Sequence, residues 1–290
     1  MKTALLTTSL CLSALLLPAC TGGGGSDGAG ASKSGELVVA ITDAPFAHDI
    51  VAVATVEVDR ISVLEADGDE SGAHVLYDGD PIEIDLLDLT NGATQILVRA
   101  DVPPGTYDQM RLRVADGHLE LRDGDVFSTA LGNLHLTSTG TSGLKVKIDP
   151  AIEVVGGLSH DLLLDFDLTK SFHAVPGNAP LNANFYKLMP VVRAMNQSLT
   201  GELRGVVSQD DGTGTLVGVD AATVYLMPAG EPDPANAVAS TMTQADGFYA
   251  LLGVEPGTWD VLAVKDPAEG RVDGVEVVAG NVTVVDLEIQ

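Results

Sequence analysis

Alternation of apolar and polar residues is the feature of this sequence that most restricts its fold. It is longest in residues 51–64, where every second residue from Ala54 to Val58 is apolar. It recurs in residues 82–89, 107–114, 118–122, 144–148 and 161–168. A two-residue period places apolar side chains on one face of a β-strand, whereas an amphipathic helix needs a period near 3.6. Short helical turns are expected only at residues 46–50 and 88–92, so the sequence predicts an all-β fold.

Asp-Gly dipeptides mark the places where the strands are expected to turn. They occur in Ala66-Asp67-Gly68-Asp69, Tyr77-Asp78-Gly79-Asp80 and Arg122-Asp123-Gly124-Asp125. Asp and Gly both tolerate positive φ, which the tightest hairpin turns require. Strands and turns at this spacing predict β-sandwich architecture.

A change of composition around residues 195–199 divides the sequence into two expected domains. We predict one β-sandwich over residues 36–196 and a second, in series, over residues 199–290. The domains share a seven-residue echo, in which Pro and Gly form a turn and an aromatic residue then fills the core. The matching segments are Val102-Pro103-Pro104-Gly105-Thr106-Tyr107-Asp108 and Val254-Glu255-Pro256-Gly257-Thr258-Trp259-Asp260.

The first residues predict export and a lipid anchor. Lys2 precedes an apolar run that is shorter than the roughly 20 residues of a membrane-spanning helix, so residues 1–19 are predicted to be a signal peptide. Its end, Leu17-Pro18-Ala19-Cys20, resembles the lipobox of bacterial lipoproteins. That resemblance implies cleavage before Cys20 and acylation of Cys20. The alternative is an ordinary signal peptide in which Cys20 occurs by chance.

Residues 20–35 are predicted to form a tether that begins at the lipidated cysteine. They are rich in Gly, Ser and Ala, a composition that gives flexible coil and a reach on the order of 20 Å. By analogy with lipoprotein sorting, Thr21 after the cysteine favours the outer membrane. We therefore expect an exported protein that the membrane holds through its lipid. The chain has 2 cysteines, Cys11 and Cys20, so the mature protein would form no internal disulfide.

The formal net charge of −26 argues against two classes of partner. Nucleic acids are poor partners, because their phosphates would be repelled instead of neutralised. Anionic lipid headgroups are poor partners for the same reason. An acidic surface does attract divalent cations, although a simply solvated surface explains the charge equally well.

Several segments of the second domain form a recognisable set. They are Gly201, Gly205-Val206-Val207, Ala222-Thr223-Val224-Tyr225-Leu226, Thr241 and residues 246–261. With these segments the domain resembles the carboxypeptidase regulatory-like domain, a small prealbumin-type β-sandwich. The resemblance implies a spacer, stabilising or presentation module. Structural classification groups this fold with carbohydrate-binding-like folds, but a shared fold does not establish sugar binding.

The first domain carries a second set of segments. They are Ile41-Thr42-Asp43-Ala44-Pro45, residues 85–92, residues 104–112, Ser142-Gly143-Leu144-Lys145-Val146, and residues 164–168 with Ser171. These segments resemble the lipoprotein family called domain of unknown function 4382. A lipobox and a regulatory-like domain are typical companions in that family. No activity is implied by its name.

Catalytic signatures are missing from the sequence. It contains no Gly-x-Ser-x-Gly elbow, no His-Glu-x-x-His, no phosphate-binding loop and no dinucleotide fingerprint, and its 6 histidines are scattered. A carboxylate pair of the kind that glycosidases use stays open, since its members can come from distant strands. We predict a protein that is not an enzyme.

Three aspartates are the candidate metal ligands. Asp165 and Asp167 are two residues apart on an expected strand and would project from one face, and Asp43 follows the first strand. Adjacent carboxylates repel unless Ca²⁺ or a basic residue such as Lys170 neutralises them. Asp43 would equally well cap a turn. Calcium is therefore the one possible cofactor that we predict, with ion pairing and capping as the alternative.

The sequence leaves two functions to compare. The first is a lipid-anchored cell-envelope protein that displays an acidic β-rich binding or structural module, with a protein or glycan partner. The alternative is a carbohydrate-binding surface lipoprotein, with or without assistance from calcium. Aromatic residues make up only 4% of the chain, and Trp259 is expected to fill the core of the second domain. Both facts weigh against sugar binding.

Overall fold

The computed structural model describes residues 33–44, 50–66, 68, 72–137, 143–177 and 180–290. These residues form one compact unit that is mostly β-strand, so the predicted all-β fold is confirmed. The predicted signal peptide, Cys20 and most of the tether lie outside the described residues, as does most of the helical turn expected at residues 46–50. Within the described residues, no helix has the length and apolar character needed to cross a bilayer.

The first sandwich is built mainly from one long, curled sheet. Its region contains the strands β1 (Gly35–Ala44), β2 (Val51–Glu65), β3 (His74–Asp85), β4 (Gln95–Val102), β5 (Gly105–Leu121), β6 (Val126–Ser128), β7 (Leu134–Leu136), β8 (Leu144–Val154), β9 (Ser159–Asp167), β10 (Phe172–Val175), β11 (Phe185–Leu188) and β12 (Val192–Asn196). The long sheet has the order β3-β2-β5-β8-β12-β9-β1-β4, with β6 paired to β5. Strands β10, β11 and β7 form a small separate sheet.

The long sheet folds over so that its two halves enclose one core. The halves join where β12 pairs with β8 through Ala194 and Ile148. The opposite ends also meet, because Gln95 Nε2 of β4 donates a hydrogen bond to Glu83 O of β3 at 3.1 Å. Alternate residues of the strands point inward, and Tyr107 is among the largest fully buried side chains. Period-two alternation in the sequence thus becomes the inner and outer faces of a sandwich.

The second sandwich has two separate sheets. Its strands are β13 (Gly201–Asp210), β14 (Leu216–Gly218), β15 (Thr223–Pro228), β16 (Ala239–Met242), β17 (Phe248–Val254), β18 (Gly257–Lys265), β19 (Ala268–Val277), β20 (Val282–Val284) and β21 (Leu287–Glu288). One sheet has the order β14-β13-β17, with β20 and β21 also paired to β13, and the other has the order β16-β15-β18-β19. The last strand of the first sandwich ends at Asn196, and the first strand of the second sandwich begins at Gly201. The exact limits of the two domains stay a prediction.

Both copies of the seven-residue echo form corners between layers. In the first sandwich β4 pairs with β1, whereas β5 pairs with β2 and β8. In the second, β17 pairs with β13, whereas β18 pairs with β15 and β19. At each corner the aromatic side chain donates a hydrogen bond to the carbonyl four residues earlier. The distances are 2.9 Å from Tyr107 Oη to Pro103 O and 2.8 Å from Trp259 Nε1 to Glu255 O.

The three predicted Asp-Gly hairpins have different outcomes. The turn at Gly124 is present between β5 and β6, with positive φ at Gly124. The hairpin predicted at Asp78-Gly79 is wrong, because β3 runs through these residues and its register with β2 shifts there instead. A register shift absorbs the extra residues without reversing the chain. Asp67 and Asp69 of the turn predicted at residues 66–69 lie outside the described residues.

Two short segments refine the other predictions. The strand expected over residues 82–89 stops at Asp85, and a 3-10 turn follows at Leu87–Leu89, which overlaps the start of the helical turn expected at residues 88–92. After β9, a single helical turn that we label α1 spans Leu168–Ser171.

Candidate functional site

The second sandwich covers part of the outer face of the first. In β9, Leu164 and Phe166 belong to the core, while Leu163 is fully buried on the opposite face. Met195 and Gly253 lie against Leu163: a Cβ atom on Gly253 would lie 3.4 Å from Leu163 Cδ2 and 2.5 Å from Met195 Cε. Glycine is therefore required for the close approach of β17 to this face.

A second contact continues this seam between the sandwiches. Thr241 of β16 directs its hydroxyl to Asn91 Oδ1 at 3.1 Å. Next to it, a Cβ atom on Gly92 would lie 3.2 Å from the Ala250 side chain. The turn that follows Leu87–Leu89 in the first sandwich thus packs directly on β16 and β17 of the second.

Beside the seam lies an open groove with two adjoining parts. The larger cleft has a volume of about 940 Å³ and the smaller cleft about 280 Å³. Both are lined by Arg193 of the first sandwich and by Val238 and Ala239 of the second. We call the two clefts together the interdomain groove.

Ion pairs form one wall of the larger cleft. Asp165 of β9 lies opposite Arg193 of β12 in the antiparallel ladder, and Arg193 Nε donates to Asp165 Oδ2 at 3.1 Å. A second, shorter bond joins Arg193 Nη2 to the same oxygen. Two residues further along β9, Asp167 Oδ2 contacts Lys170 Nζ at 2.9 Å. Cross-strand and local pairing therefore neutralise the two adjacent carboxylates.

The opposite wall of the larger cleft comes from the second sandwich and is mostly uncharged. It presents the hydroxyl-bearing residues Thr223, Tyr225 and Ser240 between small apolar side chains. Lys265 lies at the end of β18, where its Nζ donates to Ala221 O at 3.1 Å. The cleft therefore offers hydrogen-bonding groups on both walls.

Trp259 lines the smaller cleft. It packs against the core of the second sandwich, as expected, but it is only partly buried. The same cleft is lined by the ion pair of Lys147 with Asp149, whose Nζ and Oδ2 atoms are 2.7 Å apart. The sequence did not predict that this core-facing tryptophan would also border a cleft.

The three candidate metal ligands do not share a face. In the parallel pairing of β1 with β9, Asp43 is in register with Phe166, whereas Thr42 is in register with Asp165. Residues in register point to the same side, so Asp43 lies on the core side and Asp165 on the outer side. Asp43 Oδ1 accepts a hydrogen bond from Leu168 N at 3.3 Å.

The alternative roles of these aspartates have direct geometric support. Asp165 and Asp167 are ion-paired, and Asp167 also caps α1 by accepting from Lys170 N at 2.9 Å. Among the described residues, no group of three or more His, Cys, Asp or Glu side chains could hold a metal ion. Calcium binding stays an untested hypothesis.

Comparison with curated proteins finds no match for the chain. Among solved structures, a candidate carbohydrate-binding protein of Pseudomonas aeruginosa is 16% identical over 32% of this chain and 90% of its own, with a TM-score of 0.24. A shaft pilin of Lactobacillus rhamnosus GG is 10% identical over 89% of this chain and 97% of its own, with a TM-score of 0.25. The minor pilin of Streptococcus agalactiae is 11% identical over 88% and 95%, with a TM-score of 0.23.

One protein family matches the chain at the level of sequence. The match spans residues 34–190, which is more than half of the chain and most of the first sandwich. The chain therefore belongs to the family described as Domain of unknown function (DUF4382).

Proposed function

We propose that this protein is a non-enzymatic, lipid-anchored envelope protein that presents an acidic, β-rich binding module. The anchor is Cys20, in the outer membrane, and the carboxypeptidase regulatory-like second sandwich supports the first. The observation that carries the binding role is the interdomain groove, where two rigid sandwiches place ion pairs and hydroxyl groups around an open space of about 940 Å³. Ligand sites in proteins are commonly concave and lie between domains.

The groove suits binding better than hydrolysis. A glycosidase needs two carboxyl groups that flank the scissile bond of its substrate. Asp165 and Asp167 instead lie on one strand and one wall, and each contacts a cationic side chain. The strongly negative charge of the chain, −26, argues against nucleic acid as the ligand.

Carbohydrate binding is the second candidate function. It is favoured by the position of Trp259, which lines the smaller cleft instead of being fully enclosed in the core. An aromatic ring beside polar groups in a cleft provides an apolar surface for the face of a sugar.

Lipid attachment tests the envelope assignment directly. The full-length protein and its Cys20→Ser variant would be expressed in a bacterium with a lipoprotein pathway and fed a labelled fatty acid. We expect label and membrane association in the wild type and loss of both in the variant. Cys11→Ser is the matched control, because Cys11 lies within the predicted signal peptide and its substitution should leave labelling unchanged. Unlabelled wild-type protein, or a labelled Cys20→Ser variant, would contradict the proposal.

A further inference from the structure

We propose that the interdomain groove binds a neutral oligosaccharide, with Trp259 as the stacking surface and the Asp165–Arg193 pair as the central polar contact. This inference deepens the proposed binding function and rests on it. Arg193, Val238 and Ala239 line both clefts, so the two clefts adjoin. An oligosaccharide of several sugar units would therefore contact both.

Charge balance in the groove is the first reason. The chain has 15 Lys and Arg residues against 41 Asp and Glu residues. The groove gathers five of the cationic residues, which are Arg122, Lys147, Lys170, Arg193 and Lys265. It also has five acidic residues, which are Asp149, Asp165, Asp167, Glu255 and Asp266. The groove is thus balanced in an acidic molecule, which suits a neutral ligand and disfavours a polyanion.

Hydrogen-bonding capacity is the second reason. A sugar hydroxyl both donates and accepts, so its site needs acceptors and donors next to each other. Asp165 Oδ2 receives both bonds from Arg193, which leaves Asp165 Oδ1 outside this pair. The Arg193 side chain is 46% exposed, and a guanidinium has five N–H donors. The pair therefore keeps capacity for a ligand hydroxyl while each member is held in place by the other.

The orientation of Trp259 is the third reason. Its Nε1 bonds to Glu255 O at 2.8 Å, and its ring packs against the core of the second sandwich. These contacts fix the indole before a ligand arrives, which lowers the entropic cost of binding. Leu252, which is partly exposed, lines the same cleft and extends the apolar surface.

The first experiment uses the full-length protein in a detergent without sugar groups. Hexasaccharides of glucose, mannose, xylose and N-acetylglucosamine are titrated, with a hexamer of galacturonic acid as the anionic comparison. Trp259 is the only tryptophan of the chain, so its emission reports directly on the smaller cleft, and calorimetry provides the affinity. We expect saturable binding of at least one neutral hexasaccharide, with a change in Trp259 emission.

A blocking variant locates the site. Val238 is 37% exposed and lines both clefts, so Val238→Arg fills the groove without disturbing a core. We expect this variant to weaken binding by about tenfold or more, because the arginine side chain would occupy space that the ligand needs. A loss of this size is typical when a central contact of a binding site is disrupted. Val217→Arg is the matched control, because Val217 is 45% exposed on β14 and lies outside both clefts. The affinity of this variant for the oligosaccharide should equal that of the wild type.

Three outcomes would overturn the inference. They are absence of saturable binding to every neutral hexasaccharide, binding that Val238→Arg leaves intact, and binding of the galacturonic acid hexamer alone. Each of these leaves the lipid-labelling result untouched. Conversely, failure of Cys20 labelling alongside groove binding would remove the envelope anchor and keep the ligand assignment.

Discussion

The two corners of this molecule begin with nearly the same sequence and end in different surroundings. Both have the pattern Val-x-Pro-Gly-Thr, followed by an aromatic residue and Asp. Both also close with the same hydrogen bond to the carbonyl four residues back, from Tyr107 in one and Trp259 in the other. The local geometry therefore follows from the seven residues themselves.

The aromatic side chains differ in what covers them. Tyr107 is 0% exposed, and its ring meets His74 edge to face at a centroid distance of 5.8 Å. Burial raises the pKa of the Tyr107 phenol, and the Glu65 carboxylate raises it further. Trp259 is only partly buried and borders the smaller cleft. One corner thus completes a core, whereas the other also contributes to a surface.

The aspartates that follow show the opposite order of burial. Asp108 is partly exposed, whereas Asp260 is 3% exposed. Asp260 accepts hydrogen bonds from Gly230 N at 2.7 Å, Gly274 N at 2.8 Å and Arg271 Nη2 at 2.6 Å. The two backbone donors, together with Arg271, hold the pKa of Asp260 below its ordinary value. Chain segments distant in sequence therefore decide the role of each corner residue.

Removing the two aromatic side chains should produce the largest difference between the corners. We expect Tyr107→Ala to lower the free energy of unfolding by about 3–5 kcal/mol, because it leaves a large cavity in a closed core. Trp259→Ala should cost only about 1–2 kcal/mol, since less apolar area leaves contact with the core. Urea denaturation of both variants measures the two values. Equal losses would show that both corners are packed alike.

Substituting the two aspartates should have an intermediate effect. Both oxygens of Asp260 accept hydrogen bonds, so the NH2 group of Asp260→Asn would face an N–H donor and leave it without an acceptor. We therefore expect a loss of about 1–3 kcal/mol in the free energy of unfolding. Asp108→Asn is the control and should change it by less than about 0.5 kcal/mol.

The pH dependence of stability sharpens this test. Because the pKa of Asp260 is lowered in the folded protein, its stabilising contribution is complete above the unfolded value of about 3.9. The contribution is then lost as the pH falls through the lower folded-state pKa. Denaturation curves are measured from pH 6 downwards in steps of about half a pH unit. As the pH falls, the free energy of unfolding should decline less steeply for Asp260→Asn than for the wild type. An unchanged slope would contradict the role that we assign to this carboxylate.

The smallest expected effect concerns the shared hydrogen bond. Tyr107→Phe keeps the ring but removes its bond to Pro103 O, so the free energy of unfolding should fall by about 1 kcal/mol. Thermal unfolding followed by circular dichroism measures the change. No change at all would mean that packing alone, without this bond, fixes the first corner.

Sequence patterns predicted the strands of the molecule better than their partners. The alternation in residues 161–168 holds in the structure, where Leu164 and Phe166 face the core and Leu163 lies on the face of Asp165. Arg193 was missed as a site residue, although its position two residues before buried Met195 places both on one strand face. No local pattern shows that β12 lies beside β9, because that pairing joins segments far apart in sequence.

The sequence by itself determined the all-β character, the corner turns and the faces of the strands, since each depends on residues close together along the chain. The tertiary structure decided which outer face the second sandwich covers, where Arg193 meets Asp165, and why Trp259 borders a groove. It also separated Asp43 from Asp165 and Asp167, through the one-residue offset of the β1–β9 register. These features depend on strand pairing and on packing between sheets, which a period-two pattern does not specify.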